Sequence, residues 1–403
     1  MKTVLAPALC AFFLVFRFGA LAQTSQPPVV TGVTAAQQPF PSKDVSISYM
    51  ISDPVSTSDN VWILVSSDSG NTWTVPATNF SGAYGTNVPV TSAPASNNVV
   101  WHAGTDWNGQ YTTTCRVRVI ACNNGMVLVP AGSYNRGDNL DGESDAPVYS
   151  VYVSAFLIDN NVVSGFLWSL VSGYASTHGY GFDHAGSYKA PIHPVQTINW
   201  YDAVKWCNAR SQMEGIPPVY YTDAGFTALY TNLDVNTIYV NRGANGYRLP
   251  TEAEWEKAAH GGLTGLRFPW GNTIKNGPAS SGGQANYYGN KGSFTYDLGP
   301  DNPNSAFNDG VYPYTSPVGS FPANGYNLYD MAGNVFEWCW DWYASSYYAF
   351  GQTDPQGPSS GNYRVLRGGS WYFYADLARC AGRNSNTPAL AVNYSGFRCV
   401  RGF

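Results

Sequence analysis

The sequence predicts an α+β protein in two parts, an all-β sandwich followed by a larger mixed domain. Three observations predict it. Apolar residues alternate with polar ones between about 28 and 122, as in Val45, Ile47, Tyr49 and Ile51, then Val61, Ile63 and Val65, then Cys115, Val117, Val119 and Ala121. Beyond residue 123 the pattern changes to helix-type spacing behind capping residues, separated by turn-rich stretches. The chain also has 403 residues, more than one ordinary core encloses.

The first part, residues 28–122, holds ~95 residues and about seven short strands, which fits an immunoglobulin- or fibronectin-like sandwich. Ser67-Asp68-Ser69-Gly70-Asn71 is a hairpin turn candidate between Val65 and Trp73. Trp62, Trp73, Trp101 and Trp107 admit two readings, a sugar-binding face or core and turn packing. Cys115 and Cys122 would lie ~23 Å apart along one strand, so they pair only if the chain turns after Ile120.

Ahead of this module, residues 1–22 read as a secretory signal peptide. Lys2 gives the positive start, Leu9 to Val15 the apolar run, and Ala20-Leu21-Ala22 the small-x-small cleavage site. The run falls short of the ~20 apolar residues of a membrane span. The expected location is therefore extracytoplasmic, periplasmic or fully secreted, with no membrane span. Six cysteines remain after processing, an even number that favours disulfides in an exported chain. A net charge of −5 without a basic stripe speaks against nucleic acid as a partner. Charged residues make up only 12%, aromatics 15%, and there are 42 glycines, a loop-rich but globular composition.

The second part, residues 123–403, opens with a strand and turn at Gly125-Met126-Val127-Leu128-Val129-Pro130-Ala131-Gly132. An acidic cluster, Asp138, Asp141, Glu143 and Asp145, follows; it suits a solvated loop or a calcium loop of non-EF-hand spacing. Val151, Val153 and Phe156 mark a strand. Ser164 can cap a helix running to about His178, with Phe166, Leu167, Leu170 and Val171 inward. Asn199 can cap a second, with Ala203, Val204, Trp206 and Cys207 inward. Thr251-Glu252-Ala253-Glu254 is a capping box for a third, which Gly261 and Gly262 stop. PPVYYTDAGF and NTIYVNRG, between the second and third, read as short strands with tight turns.

Several separated blocks carry a family resemblance. They include the GMVLVPAG opening, GYRLPTEAEWEKAA (Gly246 to Ala259), FPWGN, ANYYGN, NGYNLYDMAGNVFEW, and RVLRGGSW with the terminal Gly396-Phe397-Arg398-Cys399. The chain resembles the formylglycine-generating enzyme, or sulfatase-modifying-factor, family over about 280 residues, from Asn123 to Phe403. The resemblance implies an irregular fold related to C-type lectins. It also implies an oxidase that converts a sulfatase cysteine to formylglycine with copper(I) held by two cysteines after the GGSW motif. Here Ser370 and Trp371 match that motif, but Phe373 stands where the first of those cysteines falls and the second has no counterpart. Without a thiolate pair a soft copper(I) ion lacks its ligands, so the site reads as degenerate and copper is not expected.

The resemblance further implies two structural calcium ions. One would be held by Asn286 and Asp309 side chains and the Tyr287 and Val311 carbonyls. The other would be held by Asp330 and Glu337 with the Gly333 and Val335 carbonyls. It implies a Cys207–Cys399 disulfide, with Cys339 the replacement partner for Cys380. The expected partner-binding rim is Tyr372, Phe373, Tyr374, Asp376 and Arg383. The sequence therefore reads as an exported recognition scaffold for a protein, peptide or glycan outside the cell. The reading from another class is a formylglycine-generating oxidase with displaced chemistry at Cys339 and Cys380. The five histidines form no i, i+4 pair, and no nucleophile elbow, Walker loop or dinucleotide fingerprint is present.

Overall fold

The computed structural model describes residues 28–402 except 55, 111, 124, 141–145, 236 and 346–350. The signal-peptide segment and Asp141, Glu143 and Asp145 lie outside the described residues.

Alternating apolar residues build two antiparallel sheets first. Strands β1 (Val29–Gln37), β2 (Val45–Ser52), β3 (Ser58–Ser66), β4 (Phe80–Gly82), β5 (Gly85–Pro89), β6 (Ala95–Trp101) and β7 (Arg116–Asn123) occur in chain order, with a short helix α1 (Ala103–Asp106) after β6. One sheet runs β1-β2-β6-β4 and the other β5-β3-β7. Ile47, Tyr49 and Ile51 of one sheet share a core with Val61, Ile63, Val65 and Val119 of the other. The expected hairpin at Ser67–Asn71 is a turn with Ser69 and Gly70 at positive φ. Trp73 beyond it lies in no strand, because β3 is already paired on both edges by β5 and β7. Trp73 lies against the Arg118 guanidinium and Trp101 is buried, so these rings do not form one exposed face.

The second part is a mixed α+β arrangement of short elements. β8 (Met126–Val129), β9 (Gly132–Arg136), β10 (Tyr149–Val153) and β11 (Phe156–Asp159) lead into α2 (Gly165–Ser176) and α3 (Trp200–Met213). Then come β12 (Tyr220–Tyr221), β13 (Tyr239–Val240) and α4 (Glu252–His260). The chain closes with β14 (Phe336–Trp342), β15 (Gln352–Thr353), β16 (Arg364–Arg367), β17 (Arg383–Asn386), β18 (Ser395–Gly396) and β19 (Val400–Arg401). β17-β16-β14-β18 form a four-stranded sheet, and β19-β11-β8 tie the carboxy-terminal end back to the domain's first strand. No described helix is long and apolar enough to cross a membrane.

The three caps form as their sequences require. Ser164 accepts from Leu167 N, Asn199 from Asp202 N, and Thr251 with Glu254 closes a reciprocal capping box. Gly261 ends α4 in the left-handed conformation, φ 58°. The inward face of α2 differs from expectation. Phe166 and Leu170 are exposed, while Trp168, Val171 and Ala175 are buried. The 3–4 spacing through Trp168 wins because its indole stacks on Trp206 of α3 at 5.9 Å and meets Phe397 edge-on at 6.2 Å.

Salt bridges hold the interior around α4. Glu252 accepts from Arg383 Nε at 2.6 Å and Arg136 at 3.4 Å, and Glu256 is bonded by Arg367. Burial alone would raise both carboxyls. The opposing guanidinia, Arg383, Arg136 and Arg367 at Glu252 and Arg136 and Arg367 at Glu256, hold each down at about 2.

Candidate functional site

The site begins where β16 ends. Gly368 and Gly369 both have positive φ, 92° and 72°. An added Cβ would come within 3.0 Å of the Trp255 ring at Gly368 and of Ala378 backbone at Gly369, so glycine is needed for both conformation and space. The turn docks on the loop before β14: Gly333 N donates to Gly368 O at 2.6 Å and Trp371 N to Asn334 O at 3.0 Å. Trp371 Nε1 donates to Asn393 O at 3.1 Å, so the buried indole is fixed at both ends.

From this anchor an aromatic surface spreads outward. Phe373, at the position of the implied first cysteine, packs on Phe336 and Tyr394, each at 5.1 Å. Tyr372 stacks on Tyr394 at 5.9 Å with planes 8° apart, and meets Trp371 at 5.3 Å. Tyr312 stacks on Tyr314 at 4.6 Å and touches Trp371 at 5.4 Å. On the other flank Tyr374 meets Tyr288 edge-on at 5.5 Å. Tyr312, Tyr372 and Tyr374 are 62%, 52% and 44% exposed, so one wall of the cluster faces solvent. Of the expected rim, Tyr372, Phe373 and Tyr374 lie together, and Asp376 follows in a short 3-10 turn.

Arg383 is a correction. It is buried, forks onto both Glu252 oxygens at 2.6 and 2.9 Å, and lies over Tyr343. Its planar fork matches a carboxylate of α4, which draws it inward from the rim. Asp138 is likewise buried rather than solvated, held by Arg379 at 3.0 and 3.2 Å. Tyr312, Tyr314, Tyr394 and Tyr288 were missed as members of the face. The only sequence signal was the tyrosine density of VYPYTSP and ANYYGN.

Among the described residues, Cys115, Cys207, Cys339, Cys380 and Cys399 stand as free thiols. Cys207 and Cys399 Sγ atoms face each other at 3.6 Å, beyond the ~2.05 Å of a disulfide. Cys339 and Cys380 are also unbonded and fully buried, with Cys339 Sγ directed at Glu337 O at 3.9 Å. Neither implied disulfide is formed in this structure. Burial pushes the Cys339 and Cys380 thiols well above the ordinary range, with neighbouring carboxylates adding to it. Such thiols stay protonated and are poor ligands for a soft metal. No group of three or more His, Cys, Asp or Glu side chains suited to a metal occurs among the described residues.

The two implied calcium positions differ in fit. At the first, a cation already answers the donors: Lys189 Nζ lies 2.7 Å from Asp309 Oδ1 and 3.2 Å from the Val311 carbonyl. Asn286 keeps its Nδ2 on Tyr314 O, with Oδ1 buried and unpartnered, while the Tyr287 ring is buried beside Asp297. With an ammonium on Asp309 and Val311, this donor set does not fit calcium. At the second, Asp330 stands at φ 54° with Oδ2 accepting from Gly319 N, while Oδ1 is buried and unpartnered. A cavity of about 10 Å³, the size of one small guest, adjoins Asp330. Glu337 is already gripped by Arg398 at 2.7 and 2.8 Å and by Trp255 Nε1 at 2.8 Å. Of the carboxylates in the second set, Asp330 keeps an unanswered oxygen and Glu337 does not, and the cavity beside Asp330 is lined by Met331 and Ala332 rather than by Gly333, Val335 or Glu337.

Comparison with known proteins agrees with this architecture. Residues 113–403 match the family model of the sulfatase-modifying factor enzyme 1-like domain. A formylglycine-generating enzyme of Thermomonospora curvata is 35% identical over 301 residues, covering 68% of this chain and 93% of that protein. The serine/threonine-protein kinase pkn1 of Chlamydia caviae is 43% identical over 294 residues, and the match spans only 38% of that longer protein. Among solved structures, Treponema denticola variable protein 1 is 31% identical with a TM-score of 0.53, covering 70% of this chain and 95% of that one. PvdO from Pseudomonas aeruginosa is 25% identical with a TM-score of 0.50, covering 69% and 94%. The chain thus belongs to the sulfatase-modifying-factor, formylglycine-generating-enzyme-like domain family.

Proposed function

We propose that this chain is an exported, non-catalytic recognition protein that uses the family scaffold to present an aromatic face to a protein, peptide or glycan. The observation that carries this reading is the replacement at the family's reaction centre. Phe373 occupies the first cysteine position and continues into the solvent-facing rings of Tyr372, Tyr374 and Tyr312. Rigid aromatic side chains on loops held by a packed scaffold supply contact area at low entropic cost. The thiols of Cys339 and Cys380 are buried and burial disfavours their ionisation, which works against a copper(I)-binding pair there. That one relative is named a variable protein accords with a fold whose surface residues change over a kept core.

In this reading the amino-terminal sheets form an immunoglobulin-like sandwich that spaces the recognition domain, and residues 1–22 direct export. A calcium ion at Asp330 and the Gly333 and Val335 carbonyls braces the loop under the GGSW turn. The ion is a hard brace for irregular backbone and takes no part in chemistry.

Glycan and peptide arrays test the proposal. The chain and a Tyr372→Ala/Tyr374→Ala variant are compared, with thermal unfolding as the fold control. The expected result is a defined set of ligands for the chain and at least tenfold weaker signals for a variant that melts within ~2 °C of it. An unchanged binding profile in the variant would remove the aromatic face from recognition.

A further inference from the structure

We infer that the cavity between β13, the end of β14 and the segment 356–359 takes an anionic sugar, with its acid group on Arg364 and Arg242. The cavity holds about 560 Å³, within the ~300–1,000 Å³ usual for small-ligand sites. Its lining carries these two guanidinia and no carboxylate. Arg364 opens β16 opposite Trp342 and is 3% exposed. Its guanidinium carbon lies 3.7 Å from the Trp200 ring centre and 3.5 Å from that of Trp342. Nη1 donates to the Trp340 carbonyl, while Nε is buried without a partner. Asp341, on β14, favours the charge through space, but its Oδ2 accepts from Glu252 N at 2.8 Å on the side of α4. Burial outweighs that help and lowers the Arg364 guanidinium to about 9. It is therefore still a cation at neutral pH, held by rings and one carbonyl, at the wall of a cavity large enough for an anion.

The rest of the lining selects the kind of anion. Arg242 is exposed, so the cavity has a second cation on its open side. Of the carboxylates that act on Arg242, Glu254 is already forked by Arg248 at 2.6 and 2.7 Å and Asp341 faces α4. Guanidinia match the oxygens of carboxylates and sulfates. Tyr239, Trp340 and Trp342 supply ring surface, and Gln356 and Ser359 supply an amide and a hydroxyl that can both donate and accept. Ring faces, neutral hydrogen-bonding groups and cations in one small cavity complement the faces, hydroxyls and acid group of an acidic sugar. The site is separate from the aromatic face. Phe336, which packs on Phe373, begins β14, and Trp342 ends the same seven-residue strand ~20 Å away.

Ligand-observed NMR titration of the full chain tests this with glucuronate, glucose 6-sulfate, glucose and tetraglutamate. The expected result is saturable binding of glucuronate, glucose 6-sulfate or both, with glucose at least tenfold weaker. The tighter of the two acidic sugars identifies the acid group. Arg242→Gln should weaken that binding at least tenfold and melt within ~2 °C of the parent chain, because Arg242 is exposed. Arg364→Lys, which keeps the buried charge and loses the fork, should weaken it as well. Tyr372→Ala/Tyr374→Ala should leave it unchanged. No saturable binding of either acidic sugar, equal binding of glucose, or unchanged binding by Arg242→Gln would overturn the inference. Tighter binding of tetraglutamate would overturn the sugar assignment in favour of an acidic peptide.

Discussion

At the scale of single residues, partners distant in sequence decide which side chains are functional. Arg383 looks available for a ligand in RNSNTP, yet Glu252, far earlier in the chain, takes its Nε and Nη2, and the Ala344 carbonyl takes Nη1. Arg383→Ala is therefore expected to leave a buried carboxylate short of a partner and cost about 3–5 kcal/mol in urea unfolding. A surface role would cost almost nothing. Lys189 is the opposite case, an unremarked residue that answers two donors of an implied calcium position. Asp309→Asn should leave the calcium content measured by metal analysis unchanged, whereas Asp330→Asn should lose about one equivalent. The aromatic face was half legible. Tyr372 to Tyr374 follow the GGSW motif directly, but Tyr312, Tyr314 and Tyr394 join only through folding, because no local period links them.

Among elements, α4 repays the closest reading. Its capping box, first-turn acids and stopping glycine are all local signals, and all form as written. Thr251→Ala should cost about 1 kcal/mol through the lost cap, readable as a lower urea midpoint with an unchanged slope. The face of α2 was illegible for a related reason. Its sequence is apolar nearly all round, GFLWSLVSGYAS, so spacing alone does not choose between Phe166 and Trp168. The choice is made by Trp206 and Phe397, which are remote in sequence. The β strands of the first part were the clearest elements, since one buried face enforces alternation. Asp59 departs from its environment there and was invisible, because charge alone does not reveal burial.

For the whole molecule, the interior is a charged one, and its acid response follows. Glu252 and Glu256 are held down at about 2 in the folded chain, against ordinary values near ~4.5 when unfolded. The unfolded state thus binds more protons between those values. Their contribution, about 3 kcal/mol each, is fully present above ~4.5 and is lost as pH falls through about 2. Acid unfolding followed by circular dichroism should show a steep loss of stability below pH ~4, and Glu252→Gln should lessen that slope. Family membership itself was legible from ordered blocks spread over the second part, because turn glycines, caps and buried tryptophans leave short fixed strings. Whether the scaffold still performs oxidation rests on the residues after Trp371. The most direct measurement incubates the purified chain with copper(I), dioxygen and a peptide carrying Cys-x-Pro-x-Arg, and follows the peptide cysteine by mass spectrometry beside a competent enzyme. An unchanged thiol is the result expected of a chain in which Cys207, Cys339, Cys380 and Cys399 are buried and the reaction centre carries Phe373. Copper-dependent conversion to the aldehyde would contradict it and return Cys339 and Cys380 to a catalytic role.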